Sequence, residues 1–163
     1  IDEIINKNNL DIVIANDNSP MQVVVSGLMN NINDAETIFI SNGVRKYIKL
    51  NVSAAFHSKY MEAAQNMLKD EIDKISFFPS IIPIISNFDA VINSNTDKII
   101  DSLKNQMANK VRWTESIKKL EETEISEIIE IGPGKVLSGL ISRITKKFDI
   151  ISIDKIADLD KFK

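Results

Sequence analysis

Apolar positions come first in short runs and later at a helical period. Residues 11–16, DIVIAN, are short, β-branched and apolar, and predict a strand. NDNSP, residues 16–20, is a dense cluster of turn formers. QVVVSG, residues 22–27, predicts a second strand closed by glycine. Ile32, Ala35, Ile38 and Phe39 predict a helix over 30–42, stopped at Asn42-Gly43. RKYIKLNV, residues 45–52, alternates, with Tyr47 and Lys49 opposed to Ile48 and Leu50, and predicts a third strand. Strand, strand, helix, strand makes a small sheet with one covering helix.

Beyond that point the period changes. Met61, Ala64, Leu68, Ile72 and Ile75 recur at helical spacing over 60–74, with Ser58 placed to cap the helix. IIPIISN, residues 81–87, is a continuous apolar run, the pattern of a strand covered on both faces. Thr96 is positioned to cap a helix reaching Met107, with Ile99, Ile100, Leu103 and Met107 inward. Trp113, Ile117 and Leu120 mark another helix. EIIEIG, residues 127–132, predicts a strand, GPG a tight turn, and 135–146 a helix with Val136, Leu140, Ile141 and Ile144 on one face. DIISI, residues 149–153, is a last strand. Strands alternating with helices predict a parallel α/β sheet.

Composition narrows the class. Hydrophobic residues make up 44% of the 163, enough for a core, and the net charge of -3 with 26% charged residues offers no basic stripe for a nucleic acid. No apolar run approaches the ~18 residues of a membrane span. The absence of cysteine excludes disulfides, thiolate zinc sites and a cysteine nucleophile, and fits a reducing interior such as the cytoplasm. A single histidine excludes a His-rich metal site, so no metal is expected. The chain begins at Ile1 rather than Met, and IDEIINKNN is too polar for a signal peptide. The expectation is a chain cut from something longer.

Four features could carry chemistry. IGPGKVLSG, residues 131–139, suggests phosphate binding at a helix start. The dinucleotide fingerprint, however, needs glycine at Leu137, and a Walker loop needs Ser or Thr at Val136 and glycine at Ile129. The simpler reading is a strand-to-helix turn whose glycines let helix and sheet approach closely. His57 lies in a short loop of small residues, SAAFHS, between a strand and a helix, where catalytic groups concentrate. It is either a general base or a histidine that fits its surroundings. Gln106 falls three residues after Leu103 and seven after Ile99, near an apolar face, where its amide must find partners. Asn16, Asn18 and Ser19 suit Asx-type turns. From the residues alone, no nucleophile pairs with His57.

Five segments, in order, resemble the malonyl-CoA:acyl carrier protein transacylase family: NSPMQVVVSG, AFHSKYM, IPIISNFDA, VRWTESI and EIGPGKVLSGLISRI. The resemblance covers nearly the whole chain. It implies the second half of an α/β-hydrolase-like parallel-sheet body (residues 53–163) plus most of an inserted ferredoxin-like small lobe (residues 1–52), with the substrate cleft between them. It implies transfer of malonyl from malonyl-CoA to a serine, then to the phosphopantetheine thiol of acyl carrier protein, with no bound cofactor. His57 is then the general base, the main-chain carbonyl of Gln106 orients it, and Phe56, Asn16 and Asn18 belong to the substrate site. In related polyketide acyltransferases an AFH-type sequence goes with malonyl. The ring of Phe56 leaves no room for an α-methyl group, a discrimination of ~1–3 kcal/mol.

The chain departs from that family in one large respect. It holds no GHSxG motif, and Arg45, Arg112 and Arg143 do not match the context of the carboxylate-binding arginine. The resemblance places the serine, that arginine and the first strand of the small lobe before Ile1. The missing N-terminal half of the enzyme is therefore an expected partner, and this chain alone is expected to be inactive. The alternatives are a non-catalytic remnant that at most binds carrier protein, and a hydrolase on the same fold. Lys135, Arg143, Lys146 and Lys147 are either a carrier-protein docking patch or a solvated face.

Overall fold

The computed structural model describes residues 1–162, except the side chain of Lys161. A short helix, α1 (Asp2–Lys7), leads into strand β1 (Ile12–Ser19), which pairs antiparallel with β2 (Gln22–Gly27). Helix α2 (Met29–Ser41) packs on this hairpin. Ala35 and Phe39, one turn apart on α2, are fully buried against Ile5 and Ile12, with Ile14, Val25 and Ile32 around them. Gly27 is held by close approach: a Cβ there would lie 2.8 Å from Cγ2 of Ile12.

The residues 16–20 are not a turn cluster. β1 continues through Asn16, Asp17 and Asn18 to a buried Ser19, and only Pro20 and Met21 link the strands. The register slips between Ile14 and Asn16 and again between Asp17 and Ser19, so Ala15 and Asn18 are bulged. Asx turns are therefore not what Asn16 and Asn18 make. The free side of β1 bonds a later segment: the Asp17 N–H donates to the Val111 carbonyl (2.9 Å), and the Val111 N–H to Ala15 (2.8 Å). The buried Thr114 hydroxyl donates to an Asp17 carboxylate oxygen at 2.8 Å.

No strand forms over 45–52. Tyr47 stacks on Phe39 at 5.8 Å and donates its hydroxyl to the Ile32 carbonyl at 2.7 Å. That anchor turns Tyr47 inward and leaves Ile48, Lys49 and Leu50 all exposed, so the expected alternation of the two pairs is lost. No ladder among the described residues takes up this segment's backbone.

A 3₁₀ turn (Lys59–Met61) opens helix α3 (Glu62–Ile72). Ser58 stands at the N-cap position, but its hydroxyl donates backwards to the Ala55 carbonyl at 2.5 Å and caps nothing. The apolar run 81–87 yields only β3 (Ile84–Ile85), paired with β4 (Ile92–Asn93). Ile81 is 96% exposed, so the expected cover on both faces is absent. Pro83 removes a backbone donor from within the run. Helix α4 (Thr96–Asn105) is capped by Asn95, whose Oδ1 accepts the Lys98 N–H at 3.0 Å; Thr96 instead accepts from the Ser80 N–H.

Helix α5 (Trp113–Glu121), strand β5 (Glu127–Ile131), helix α6 (Val136–Ile144) and strand β6 (Asp149–Ile153) complete the regular structure, followed by a 3₁₀ stretch (Ile156–Phe162). β5 and β6 are parallel and in register from Glu127–Asp149 to Ile131–Ile153. Ile117, Ile141 and Phe148 form a second core with Trp113, Leu120, Ile128 and Ile150. Leu140 and Ile141 face inward as expected, whereas Val136 is 69% exposed. Among the described residues no helix is long and apolar enough to cross a membrane.

Candidate active site

His57 occupies the left-handed backbone region, with φ of +58°. A side chain there meets steric resistance of order 1 kcal/mol, so the surroundings must hold it. The Ser58–Ala55 bond closes one side of the turn. The His57 N–H donates to the Met107 carbonyl at 3.1 Å. Nδ1 lies 3.0 Å from the Gln106 carbonyl oxygen and 3.1 Å from that of Asn109. Carbonyls only accept, so Nδ1 carries a proton, and in the neutral imidazole Nε2 is the nitrogen with the lone pair. Nε2 has no hydrogen-bond partner among the described residues.

These carbonyls are available because α4 has just ended. The last carbonyls of a helix lack intrahelical donors, and Gln106 is the C-cap. The segment 106–109 turns its oxygens onto the histidine instead. The imidazole thus completes a helix end, and the helix end orients the imidazole. Gln106 contributes through its main chain, and its half-buried side chain makes no hydrogen bond among the described residues. The satisfied core glutamine is a different one. Gln65 on α3 is buried, and its Oε1 accepts the Ala108 N–H at 2.9 Å. The spacing of Gln65, four residues after Met61 and three before Leu68, is the signal in the sequence that could have found it: a polar group on an apolar stripe.

Phe56 precedes the histidine and is 44% exposed. Asn16 and Asn18 are half-buried on β1, and Asn16 bridges Val111, two residues beyond Asn109. Residues 106–111 therefore touch both the histidine loop and the hairpin. A second tie is polar: Lys59 Nζ lies 2.7 Å from Asp11 Oδ1, and Tyr60 donates to Asp11 Oδ2 at 3.3 Å. The hydrogen bond from Lys59 holds the Asp11 carboxyl below the usual range.

Two of the three arginines are occupied. Arg112 pairs with Glu115 and donates to the Asp89 carbonyl at 3.3 Å, and Arg143 donates to Gln22 Oε1 at 2.9 Å. Lys146 bonds the Ser142 carbonyl, and Lys147 those of Glu121 and Thr123, so both close a helix end.

The glycine-rich turn has its anion built in. Glu130 accepts the N–H groups of Leu137 and Ser138, each at 2.9 Å, and the Ser138 hydroxyl, which also meets Ser152 Oγ at 2.9 Å. The start of α6 is thus filled by a carboxylate from β5. The Ser138 hydroxyl, foremost, holds the Glu130 carboxyl below its ordinary value. Close helix–sheet approach is not the reason for the glycines. A Cβ at Gly132, Gly134 or Gly139 would meet nothing within 4 Å. Gly132 and Gly134 are needed for backbone angles of +142° and +83°.

The family model described as "Acyl transferase domain" matches residues 2–158. The polyketide biosynthesis protein PksE of Bacillus subtilis (strain 168) is 45% identical over 135 residues, which are 82% of this chain and 18% of that protein. The malonyl CoA-acyl carrier protein transacylase of Synechocystis sp. (strain ATCC 27184 / PCC 6803 / Kazusa) is 35% identical over 152 residues, covering 93% of this chain and 51% of that enzyme. The crystal structure of an acyl carrier protein S-malonyltransferase from Vibrio cholerae superposes with a TM-score of 0.92 at 31% identity, covering 99% of this chain and 55% of that one. The chain spans about half the length of these two transferases, and its mixed α/β fold is theirs over that span. A family model matched from Asp2 to Asp158, with a fold that superposes along nearly the whole chain, makes this protein a member of the acyl transferase domain family.

Proposed function

We propose that this chain supplies the base-bearing half of a transacylase that moves malonyl from malonyl-CoA to the phosphopantetheine thiol of acyl carrier protein. The observation that carries the reading is the histidine geometry: Nδ1 is committed to two main-chain carbonyls, so Nε2 is the free base. In a serine–histidine pair that is the nitrogen that must accept the hydroxyl proton. The serine oxygen attacks the malonyl thioester carbonyl as Nε2 takes its proton. The carbon–sulfur bond breaks, and the coenzyme A sulfur receives that proton. In the second half the carrier-protein thiol gives its proton to Nε2, attacks the serine ester and restores the hydroxyl. The carbonyls of Gln106 and Asn109 do what a carboxylate does in a triad: they hold the tautomer and face the imidazolium formed at each transfer.

Both thiols belong to the substrates, so a cysteine-free enzyme suffices, and the reaction suits the cytoplasm. Phe56, Asn16 and Asn18 line the acyl site in this reading. Phe56 excludes an α-methyl group, and equal transfer of methylmalonyl would contradict that role. The chain has no GHSxG, so the serine comes from the stretch of family length that it does not span. Residues 1–52 and 53–163 then contribute to the small lobe and the body of the completed enzyme.

The test is complementation. The chain is co-expressed with a family N-terminal half carrying GHSxG, and malonyl transfer to holo carrier protein is measured. Transfer is expected, with a loss of at least ~10³-fold in His57→Ala and a mild effect in Gln106→Ala. Transfer unaffected by His57→Ala, or none in a stable complex, would overturn the proposal. Release of free malonate in place of malonyl carrier protein would indicate a hydrolase.

A further inference from the structure

We infer that Gln65 is a positioning residue for His57, acting through the peptide that joins Met107 to Ala108. The inference rests on His57 being the base. One rigid peptide plane carries both hydrogen bonds. Its N–H, on Ala108, donates to Gln65 Oε1 at 2.9 Å, and its C=O, on Met107, accepts the His57 N–H at 3.1 Å. A peptide is planar, so fixing the N–H fixes the direction of the C=O. The peptide is therefore clamped from α3 on one side and holds the His57 backbone on the other.

Two facts make that clamp matter. His57 sits at a φ of +58°, where the chain relaxes unless it is held. The carbonyl just before the clamped peptide, that of Gln106, and that of Asn109, one residue beyond Ala108, are the acceptors for Nδ1. No helix bond fixes them, because α4 stops at Asn105. Gln65 is the one side chain among the described residues that hydrogen-bonds the backbone N–H groups of 106–109. It is buried, so water does not replace it freely when it is removed. The two bonds in line through one amide also polarise each other.

The single histidine gives a direct readout. The full chain is labelled with ¹³C,¹⁵N-histidine, left unlabelled in its complementing half, and followed by NMR for the tautomer and for exchange of the Nδ1 proton. The wild type is expected in the Nδ1–H form. Gln65→Met keeps the length and apolar stem but has no strong acceptor. It should increase Nδ1 proton exchange at least ~10-fold and bring in the Nε2–H tautomer. Gln65→Glu, which keeps an acceptor oxygen, should stay within ~2-fold of wild type at a pH where its carboxyl is ionised. Ile72→Ala empties a buried site on the same helix away from the peptide and should leave the imidazole signals unchanged in the folded fraction. Wild-type tautomer and exchange in Gln65→Met, or an equal response to Ile72→Ala, would overturn the inference. An imidazole that responds to Gln65 in an assembly that transfers no malonyl would sink the transacylase reading and leave this one standing.

Discussion

At the residue scale, the histidine loop is a case of two groups satisfying each other's geometry. A helix end has carbonyls to spare, and an imidazole must be told which nitrogen carries its proton. Glu130 solves the converse problem at the start of α6, where N–H groups lack acceptors. Its lowered pKa has a consequence for stability. A carboxylate depressed in the folded state stabilises the fold above its unfolded value, about 4.3, and that contribution is lost as pH falls through the lower folded value. Glu130→Gln should therefore melt below wild type at neutral pH, with the gap closing as the pH falls below ~4. A gap that stays constant with pH, followed by circular dichroism, would show that the charge is not responsible. Legibility at this scale was uneven. AFHSKYM pointed to His57 through the kinds of residues around it. The same argument that drew attention to Gln106, a polar residue on an apolar stripe, applied with more force to Gln65, because only tertiary contacts show which glutamine is buried.

Among the elements, patterns that close locally were readable. The hairpin strand at 22–27, α2, α5, α6 and the β5–β6 pair follow from period, composition and glycine placement. Boundaries that depend on a side-chain hydrogen bond moved by a residue or more. Asn95 rather than Thr96 caps α4, because a cap oxygen must reach the N–H three residues on. Asn95→Ala should cost about 1 kcal/mol of stability in urea unfolding. Thr96→Ala, whose hydroxyl only receives the Ser80 N–H, should cost less. The reverse order of costs would show that the cap is misassigned. The segment 45–52 formed no strand, and 81–87 only the two-residue β3, for another reason. Alternation and apolarity predict a strand only if a neighbouring strand completes its ladder, and sequence pattern does not say whether that neighbour exists.

Across the whole molecule, the exposed apolar residues share one explanation. Phe78 (89%), Ile81, Ile82 and Ile131 stand open to solvent, as do Ile48, Leu50 and Val52. β5 and β6 form a two-stranded parallel sheet, whereas parallel sheets are ordinarily covered on both faces. Such surface promotes association. The chain by itself should form concentration-dependent oligomers or aggregates in light scattering, and the complementing family half should convert it to a defined complex. A monomer with a sharp cooperative melt would contradict this. Apolar period, turn glycines and five ordered motifs were enough to determine the α/β class and the family, because each depends on residues near in sequence. The tertiary structure alone decided which carbonyls meet Nδ1 of His57, which glutamine meets the loop that carries them, the anion that fills the α6 start and the segment that found no strand partner. Each of those depends on which distant groups meet, and a hydrogen bond between Gln65 and Ala108 leaves no trace in the spacing of either.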